Sequence, residues 1–298
     1  MTMSWRGLFA ITLVLVTTVS FGQTNILNAK DPEDIGKQTE AQRLSDLNDK
    51  PLEYGYIEDR DVLWSKNVWE IIDLDERVNF PLFYPIDTNN IGGNRRSLYD
   101  VLMKGIKDGT IENIYADSYF TEKRSLKDIQ ATLSKVDTTD LGIEQYNAGE
   151  QVDEQFIDRR DLSSADIAEY HIRGMWYFDK RQAELKYRLL GIAPVAPDVN
   201  FIDSGQTDLV ELFWVWFPDA RELLHEHKAF SGGNTSQSIS FDHLLNARRF
   251  NGIIYQEENV HGDRQINDYI VDNAFRQLLE SERIKEQIRN FEQDMWNY

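Results

Sequence analysis

The sequence of 298 residues contains no cysteine. Disulfide bonds, thiolate metal sites and thiol nucleophiles are therefore excluded, so the hydrophobic core has to hold the fold alone. With 41% hydrophobic and 12% aromatic residues, the chain can form such a core. No cysteine is available to carry the lipid of a lipoprotein either, so we expect any membrane association to run through a partner.

Positive charge is scarce as well. The 32 Lys and Arg residues face 51 Asp and Glu residues, which gives a net charge of −19. An acidic surface repels phosphate backbones, so we expect no nucleic-acid partner. The same charge disfavours docking on anionic lipid.

Long apolar runs are missing except near the N-terminus. Residues 1–22 predict a signal peptide, with Arg6 as its positive region and an apolar stretch over residues 8–19. That stretch is too short and too rich in threonine to span a bilayer. Small residues at Ser20 and Gly22 predict cleavage before Gln23, and hence export.

The remaining chain divides by composition and by an apparent repeat. We predict an α+β fold of two related halves, in which GGN turns (92–94 and 232–234), NIY and IIY (113–115 and 253–255), and RSLKD and RQIND (124–128 and 264–268) correspond. The predicted segments are a signal peptide (1–22), an extended polar arm (23–60), a first α+β half (61–130), an acidic linker (131–167) and a second α+β half with a C-terminal helix (168–298).

Four stretches predict strands. Aromatic runs that end in proline, at 82–85 and 213–218, fit strands stopped by a residue that cannot donate to the ladder. Residues 171–179 and 185–195 suit two strands joined by the short connection KRQAE. Together with the helices, this mixture favours α+β architecture over βαβ winding.

Helices are predicted at two places. Ser97 and Asp100 have the spacing of a capping box that opens a short helix. The C-terminal helix, about 267–296, lacks glycine and proline and has an apolar stripe: Ile270, Ala274, Ile284, Ile288, Phe291 and Met295. The stripe either packs on its own domain or is offered to a neighbouring subunit, and in the second case Ile284, Ile288, Phe291 and Met295 are the candidate partner interface.

Catalytic and metal-binding motifs are absent from the sequence. The best metal candidate is His225-Glu226-His227, where both imidazoles would share one face of a strand and could reach one zinc ion. In a helix the two would diverge by roughly 200°. Because the preceding run PDARELL is helical in character, we predict a surface helix end and no metal. His171, His243 and His261 are isolated, and we predict structural roles for them.

The acidic stretch NVWEIIDLDERVNFPLFYP (67–85) raises the question of paired catalytic carboxylates. A glycosidase needs two such groups about 5–10 Å apart, and Glu70, Asp73, Asp75 and Glu76 could satisfy that spacing. The stretch also fits a helix that Pro81 ends, with Trp69, Ile72 and Val78 buried and the charges in water. The second half repeats no such acidic cluster, so we predict packing rather than catalysis.

The most concentrated aromatic run lies at 213–217. Strand alternation would place Trp214 and Trp216 on one face, and Phe213, Val215 and Phe217 on the other. The run fits a core strand, a protein contact surface or a sugar platform, since tryptophan dominates interface hot spots. We take Trp214, Trp216 and Phe217 as further candidate interface residues.

Four stretches give the chain a specific resemblance. Residues 67–85, 188–195, 213–259 and 278–298 resemble the gliding motility protein family GldN, called PorN in non-gliding relatives, of the type IX secretion system of Bacteroidetes. The resemblance implies a periplasmic protein that assembles with an outer-membrane lipoprotein (GldK or PorK) and with copies of itself into a ring. Inner-membrane motor proteins (GldL and GldM) are further implied partners.

The family supplies no catalytic residue and no cofactor to carry over. The resemblance therefore implies a non-enzymatic ring or scaffold subunit of the secretion and gliding machinery, associated with the outer membrane through the lipoprotein. The alternative that the residues themselves leave open is a periplasmic carbohydrate- or peptidoglycan-binding protein, or a hydrolase of such polymers, that uses the tryptophans.

Overall fold

The structure is a computed structural model that describes residues 50–87, 96–149, 154–200, 208–229 and 239–296. The predicted signal peptide, most of the predicted polar arm and both GGN turns lie outside the described residues. The described chain from residue 51 onwards belongs to one unit.

An antiparallel sheet forms the centre of this unit. The strands are β1 (Val62–Asp73), β2 (Ile114–Tyr115), β3 (Ser134–Thr138), β4 (Ile157–Asp161), β5 (Glu169–Asp179), β6 (Glu184–Pro197), β7 (Leu209–Glu211), β8 (Trp214–Trp216), β9 (Lys228–Ala229), β10 (Ile239–Ser240) and β11 (Ile253–Glu257). Within the described ranges the main sheet has seven strands, in the order β11-β1-β5-β6-β8-β2 with β7 also paired to β6. Strands β3 and β4 form a separate pair, as do β9 and β10.

Helices connect and cover the strands. They are α1 (Phe80–Phe83), α2 (Leu98–Lys107), α3 (Leu126–Leu133), α4 (Asp140–Asn147), α5 (Phe217–Glu226), α6 (Phe241–Asn246), α7 (Ile266–Tyr269) and α8 (Ala274–Trp296). The buried faces of α2, α5 and α6 pack with sheet residues such as Ile72, Ile172 and Ile192 in the main core. The C-terminal helix α8 packs elsewhere, in a second cluster with Val68 and Ile254.

The α+β prediction is confirmed, and several of its elements are where the sequence puts them. Strands β5 and β6 form the expected hairpin, in which Asp179 pairs with Glu184. The side chain of Ser97 accepts a hydrogen bond from the backbone N–H of Asp100 and caps α2. The long C-terminal helix is present, although it begins at Ala274 rather than near 267.

Two local predictions are wrong. The stretch from Trp69 to Asp73 is not a helix but the end of β1, which is paired on both sides, with β5 and with β11. The stretch 82–85 does not form a strand, because α1 already occupies Phe80–Phe83. Pro81 stands in the first turn of α1, where a helix needs no N–H donor, so it opens a helix rather than ending one.

Strands from both predicted halves share the main sheet. Strand β1 lies between β11 and β5, and the corresponding strands β2 and β11 lie at opposite ends of the strand order. The segment 131–167, predicted as a linker, contains β3, α4 and β4. The internal duplication and the domain boundaries stay predictions.

Candidate functional site

The acidic stretch at the end of β1 and directly after it is occupied by structural contacts. Glu70 is 1% exposed and accepts two hydrogen bonds from the guanidinium of Arg248, at 2.9 and 2.6 Å. Asp73 accepts the backbone N–H of Asp75 in a turn, and Glu76 accepts the side-chain amide of Asn251. These bonds fit the packing hypothesis, since each of the three carboxylates accepts from a different donor within the fold.

His171 stands at the centre of the most unusual polar cluster. Its Nδ1 lies 2.7 Å from a carboxylate oxygen of Glu211, and its Nε2 lies 3.1 Å from one of Glu169. The other oxygen of Glu211 accepts the indole N–H of Trp214, and Tyr255 packs against the imidazole. Burial lowers the pKa of His171, but the hydrogen bonds and charges of Glu169 and Glu211 outweigh it and raise the pKa to about 9.

The geometry of this cluster fits a positively charged imidazole of His171 that the two carboxylates stabilise. The two carboxylates bind opposite nitrogens of one imidazole. The ring and both carboxylates therefore cannot be ligands of the same metal ion. Within the described ranges, no group of three or more His, Asp or Glu residues could hold a metal. The cluster instead ties β5 to β7 through a protonated His171.

The His225-Glu226-His227 triplet lies at the end of a helix, as predicted. Helix α5 ends at Glu226, so the two imidazoles do not share the face of a strand. His227 approaches the carbonyl of Leu223 through its Nδ1, at 3.1 Å. Burial lowers the pKa of His227, which favours the neutral ring.

The aromatic run follows the predicted strand alternation only as far as Trp216, where β8 ends, because Phe217 and Pro218 open helix α5 instead of ending a strand. Phe213, Val215 and Phe217 lie in the main core, whereas Trp214 lies in a separate cluster with Trp69. Trp214 and Phe217 are 0% exposed. Trp216 is only partly buried and meets the ring of Phe120 edge-on. Of these candidate interface residues, Trp216 alone keeps side-chain surface for a partner.

An aromatic box around Arg173 was not among the predicted sites. The guanidinium lies 5.0 Å from the ring centre of Trp69, 5.1 Å from that of Tyr119 and 5.6 Å from that of Phe120. It also donates to the carbonyl of Ser118 at 2.7 Å. The box fastens the segment after β2 onto β5. An arginine alternating with apolar residues along a predicted strand was the available signal.

The C-terminal helix divides the candidate stripe into buried and partly exposed members. Ile284 and Ile288 are 0% and 4% exposed and pack against Val68 and Ile254. Phe291 stacks on Trp64 at 4.8 Å, and Met295 is partly exposed. Their role as a partner interface stays a prediction, but the two isoleucines are already covered within the chain.

A different apolar surface is exposed at the start of the same helix. We call it the α8 patch, and it consists of Phe275 (68% exposed), Leu278 (42%) and Leu279 (52%). The spacing of three and four residues from Phe275 puts these side chains on one helical face. The predicted stripe did not include this face, because it was drawn through Ala274, which is itself exposed.

None of the helices in the described ranges is both long and apolar enough to cross a membrane. Comparison with known families matches the chain to the family model described as gliding motility associated protein GldN, over residues 57–297. A search of curated proteins gives no match.

Proposed function

Because the chain belongs to the GldN family of gliding motility associated proteins, we propose that it is a non-enzymatic periplasmic scaffold subunit of the type IX secretion machinery. Family membership itself makes the chain a component of gliding motility and type IX secretion, with partners in that machinery. The match over residues 57–297 carries the proposal, since it spans nearly all of the described residues.

The distribution of polar and apolar groups supports a scaffold role. The conspicuous buried charges are engaged in structural pairs, as in Glu70 with Arg248 and His171 with its two carboxylates. Large apolar side chains nevertheless remain in water on the α8 patch. Contiguous exposed apolar surface of this kind is typical of protein–protein contact sites.

The partners we propose are copies of the chain itself and an outer-membrane lipoprotein of the GldK or PorK type, with motor proteins of the GldL and GldM type as further contacts. A ring needs one face of a subunit to meet a different face of the next. With a net charge of −19, copies repel one another at long range. Apolar contacts such as those of the α8 patch can offset this repulsion.

The carbohydrate-binding alternative loses its main support. A sugar platform would need the rings of Trp214 and Trp216 side by side at the surface. Trp214 is fully buried, and its indole N–H is already bonded to Glu211.

Co-purification from the bacterium that carries the gene tests the scaffold proposal. Tagged full-length chain should bring down the lipoprotein from detergent-solubilised envelopes, and deletion of the gene should stop secretion of proteins with a C-terminal sorting signal. The variant Phe275→Glu with Leu279→Glu should fold but lose high-mass complexes. Val260→Glu is the matched control, because Val260 is 95% exposed and lies outside the patch.

The opposite results are equally clear. If the wild-type chain pulls down no component of the machinery and its deletion leaves secretion intact, the scaffold proposal is refuted. If the patch variant behaves like Val260→Glu, the proposal stands without the α8 patch as its contact.

A further inference from the structure

Residues 51–57 cross the surface of the unit without helix or strand and are held mainly by arginines. We call them the 51–57 segment. Three arginines donate to its backbone carbonyls: Arg221 to Leu52 (2.6 Å), Arg181 to Tyr56 (2.9 Å) and Arg188 to Gly55 (3.2 Å). Because a carbonyl is present in every residue, these bonds select an extended backbone rather than a particular sequence.

One side chain anchors the segment. The ring of Tyr54 lies between two guanidinium groups, 4.0 Å from that of Arg221 and 4.5 Å from that of Arg188. Its hydroxyl donates to the side-chain oxygen of Asn246 at 3.0 Å. The segment is therefore recognised by its backbone and by one aromatic residue that ends in a hydroxyl.

The receiving groove is formed by Arg181, Arg188, Arg221 and Asn246, and two of these residues, Arg221 and Asn246, are held in place by contacts independent of the segment. Arg221 forms a two-point ion pair with Asp242, at 2.8 and 3.2 Å, and both side chains are nearly buried. Asn246 donates to the same carboxylate at 2.8 Å. The groove is thus preorganised, which lowers the cost of ordering on binding.

The segment fills this groove incompletely. Leu52 and Tyr56 are 79% and 78% exposed, so much of the segment's apolar surface faces water. A cavity of about 280 Å³ remains along the groove, lined by residues that include Tyr54, Tyr177 and Arg188. A segment held by a few point contacts and followed by a single turn of 3-10 helix, Asp59–Asp61, can leave and return without unfolding the core.

Charge favours an acidic occupant. The segment and the residues after it carry Glu53, Glu58 and Asp59, whereas the groove presents three arginines, of which Arg221 is paired with Asp242 and Arg181 with Asp61. In a chain with a net charge of −19, a groove lined by arginines is a place where the acidic segment of a second copy meets less repulsion than elsewhere on the surface.

We propose that the groove binds the 51–57 segment of a second copy, so that neighbouring subunits exchange this segment. The contacts seen within one chain are then made between chains, which is a low-cost route to self-association. If each subunit places its segment in the groove of the next, the contact joins two different surfaces and is therefore heterologous. Such a contact can close a ring. The inference rests on the self-assembly in the proposed function and supplies its contact.

The experiment mixes two full-length variants that carry different tags. Tyr54→Ala removes the anchor and keeps the groove, while Arg188→Ser with Asn246→Ala weakens the groove and keeps both the segment and the Arg221–Asp242 pair. Alone, each variant should lose the self-association of the wild type. Mixed, they should form a one-to-one complex, because one supplies an intact segment and the other an intact groove. Arg249→Ser, at an exposed arginine outside the groove, should self-associate like the wild type.

A photocrosslink keeps the test independent of variant folding. With p-benzoylphenylalanine at position 54 of one tagged copy, irradiation of mixed full-length chains should link it to the other copy near Asn246. Crosslinks found only within one chain, or mixed variants that stay monomeric, would overturn the exchange. The envelope co-purification tests the scaffold role separately. If the complexes with the secretion machinery persist while all crosslinks stay within one chain, the exchange is refuted and the scaffold role is not.

Discussion

Arg248 holds Glu70 through two parallel hydrogen bonds, although the two residues are 178 positions apart in the chain. The side chain of Glu70 is 1% exposed and that of Arg248 25%. The rings of Tyr187 and Trp176 lie 4.2 and 5.3 Å from the guanidinium. Burial acts to lower the pKa of Arg248. The charge of Glu70 favours the charged guanidinium and outweighs this effect, so the pKa of Arg248 is raised above its ordinary value.

Breaking this pair should be costly. Arg248→Met leaves the Glu70 carboxylate buried without its partner, and we expect the free energy of unfolding to fall by about 3–5 kcal/mol. Denaturant titration measures the change. Arg283→Met is the control, because its ion pair with Glu280 is exposed and such pairs contribute about 1 kcal/mol or less. Equal losses in the two variants would contradict the buried-pair account.

The protonated state of His171 predicts a loss of stability at alkaline pH. Its folded-state pKa of about 9 lies above the ordinary value of about 6.5, so the folded chain binds the proton more tightly than the unfolded one. The resulting stabilisation is complete below pH 6.5 and disappears as the pH rises through 9. It amounts to at most about 3 kcal/mol.

Unfolding measurements between pH 6 and 10 check this dependence. His171→Gln should flatten the profile over that range, because glutamine does not titrate. His261→Gln, at an exposed histidine, should leave the profile unchanged. A wild-type profile that stays level from pH 6.5 to 9.5 would show that His171 is not held protonated.

The two tryptophans of β8 should differ sharply. Trp214→Ala creates a cavity beside Trp69 and removes the N–H that Glu211 accepts, so we expect a loss of about 3–5 kcal/mol. Trp216→Ala should cost clearly less, since Trp216 is only partly buried. Thermal melting separates the two. If Trp216→Ala melts normally but no longer forms high-mass complexes, Trp216 belongs to the interface.

Truncation distinguishes the two roles considered for α8. Ending the chain after Glu280 removes Ser281, Ile284 and Ile288 and uncovers Val68 and Ile254, so we expect severe loss of stability rather than a folded monomer. Ending it after Glu292 retains the buried isoleucines and should stay folded. Circular dichroism and limited proteolysis report the difference. A well-folded chain after the shorter truncation would show that α8 serves partners and not its own core.

Local signals in the sequence were enough for part of the fold. The Ser97 cap and the β5–β6 hairpin depend on neighbouring residues, so their patterns could be recognised. The end of β1 was misread because this strand is paired on both sides and buried, which hides the alternation of period two. The spacing of Trp69 and Ile72 then imitated a helix.

The polar sites were harder to predict because they depend on distant pairings. Glu70 was expected in water, since nothing near it in the sequence indicates Arg248. His171 was expected to be structural but isolated, although Glu169 stands two positions away; its second partner, Glu211, is brought in by the pairing of β6 with β7. The helical spacing of Phe275, Leu278 and Leu279 in the sequence was enough to indicate the α8 patch.

Ser281 has a consequence for the sheet as a whole. Its hydroxyl accepts the backbone N–H of Ile254 at 2.8 Å, so α8 engages a free donor on β11 at one end of the strand order, while β2 at the other end is only two residues long. Open strand edges are the usual starting points of cross-β stacking between chains. With one edge partly engaged by α8 and the other only two residues long, the sheet offers little template for backbone pairing with another chain.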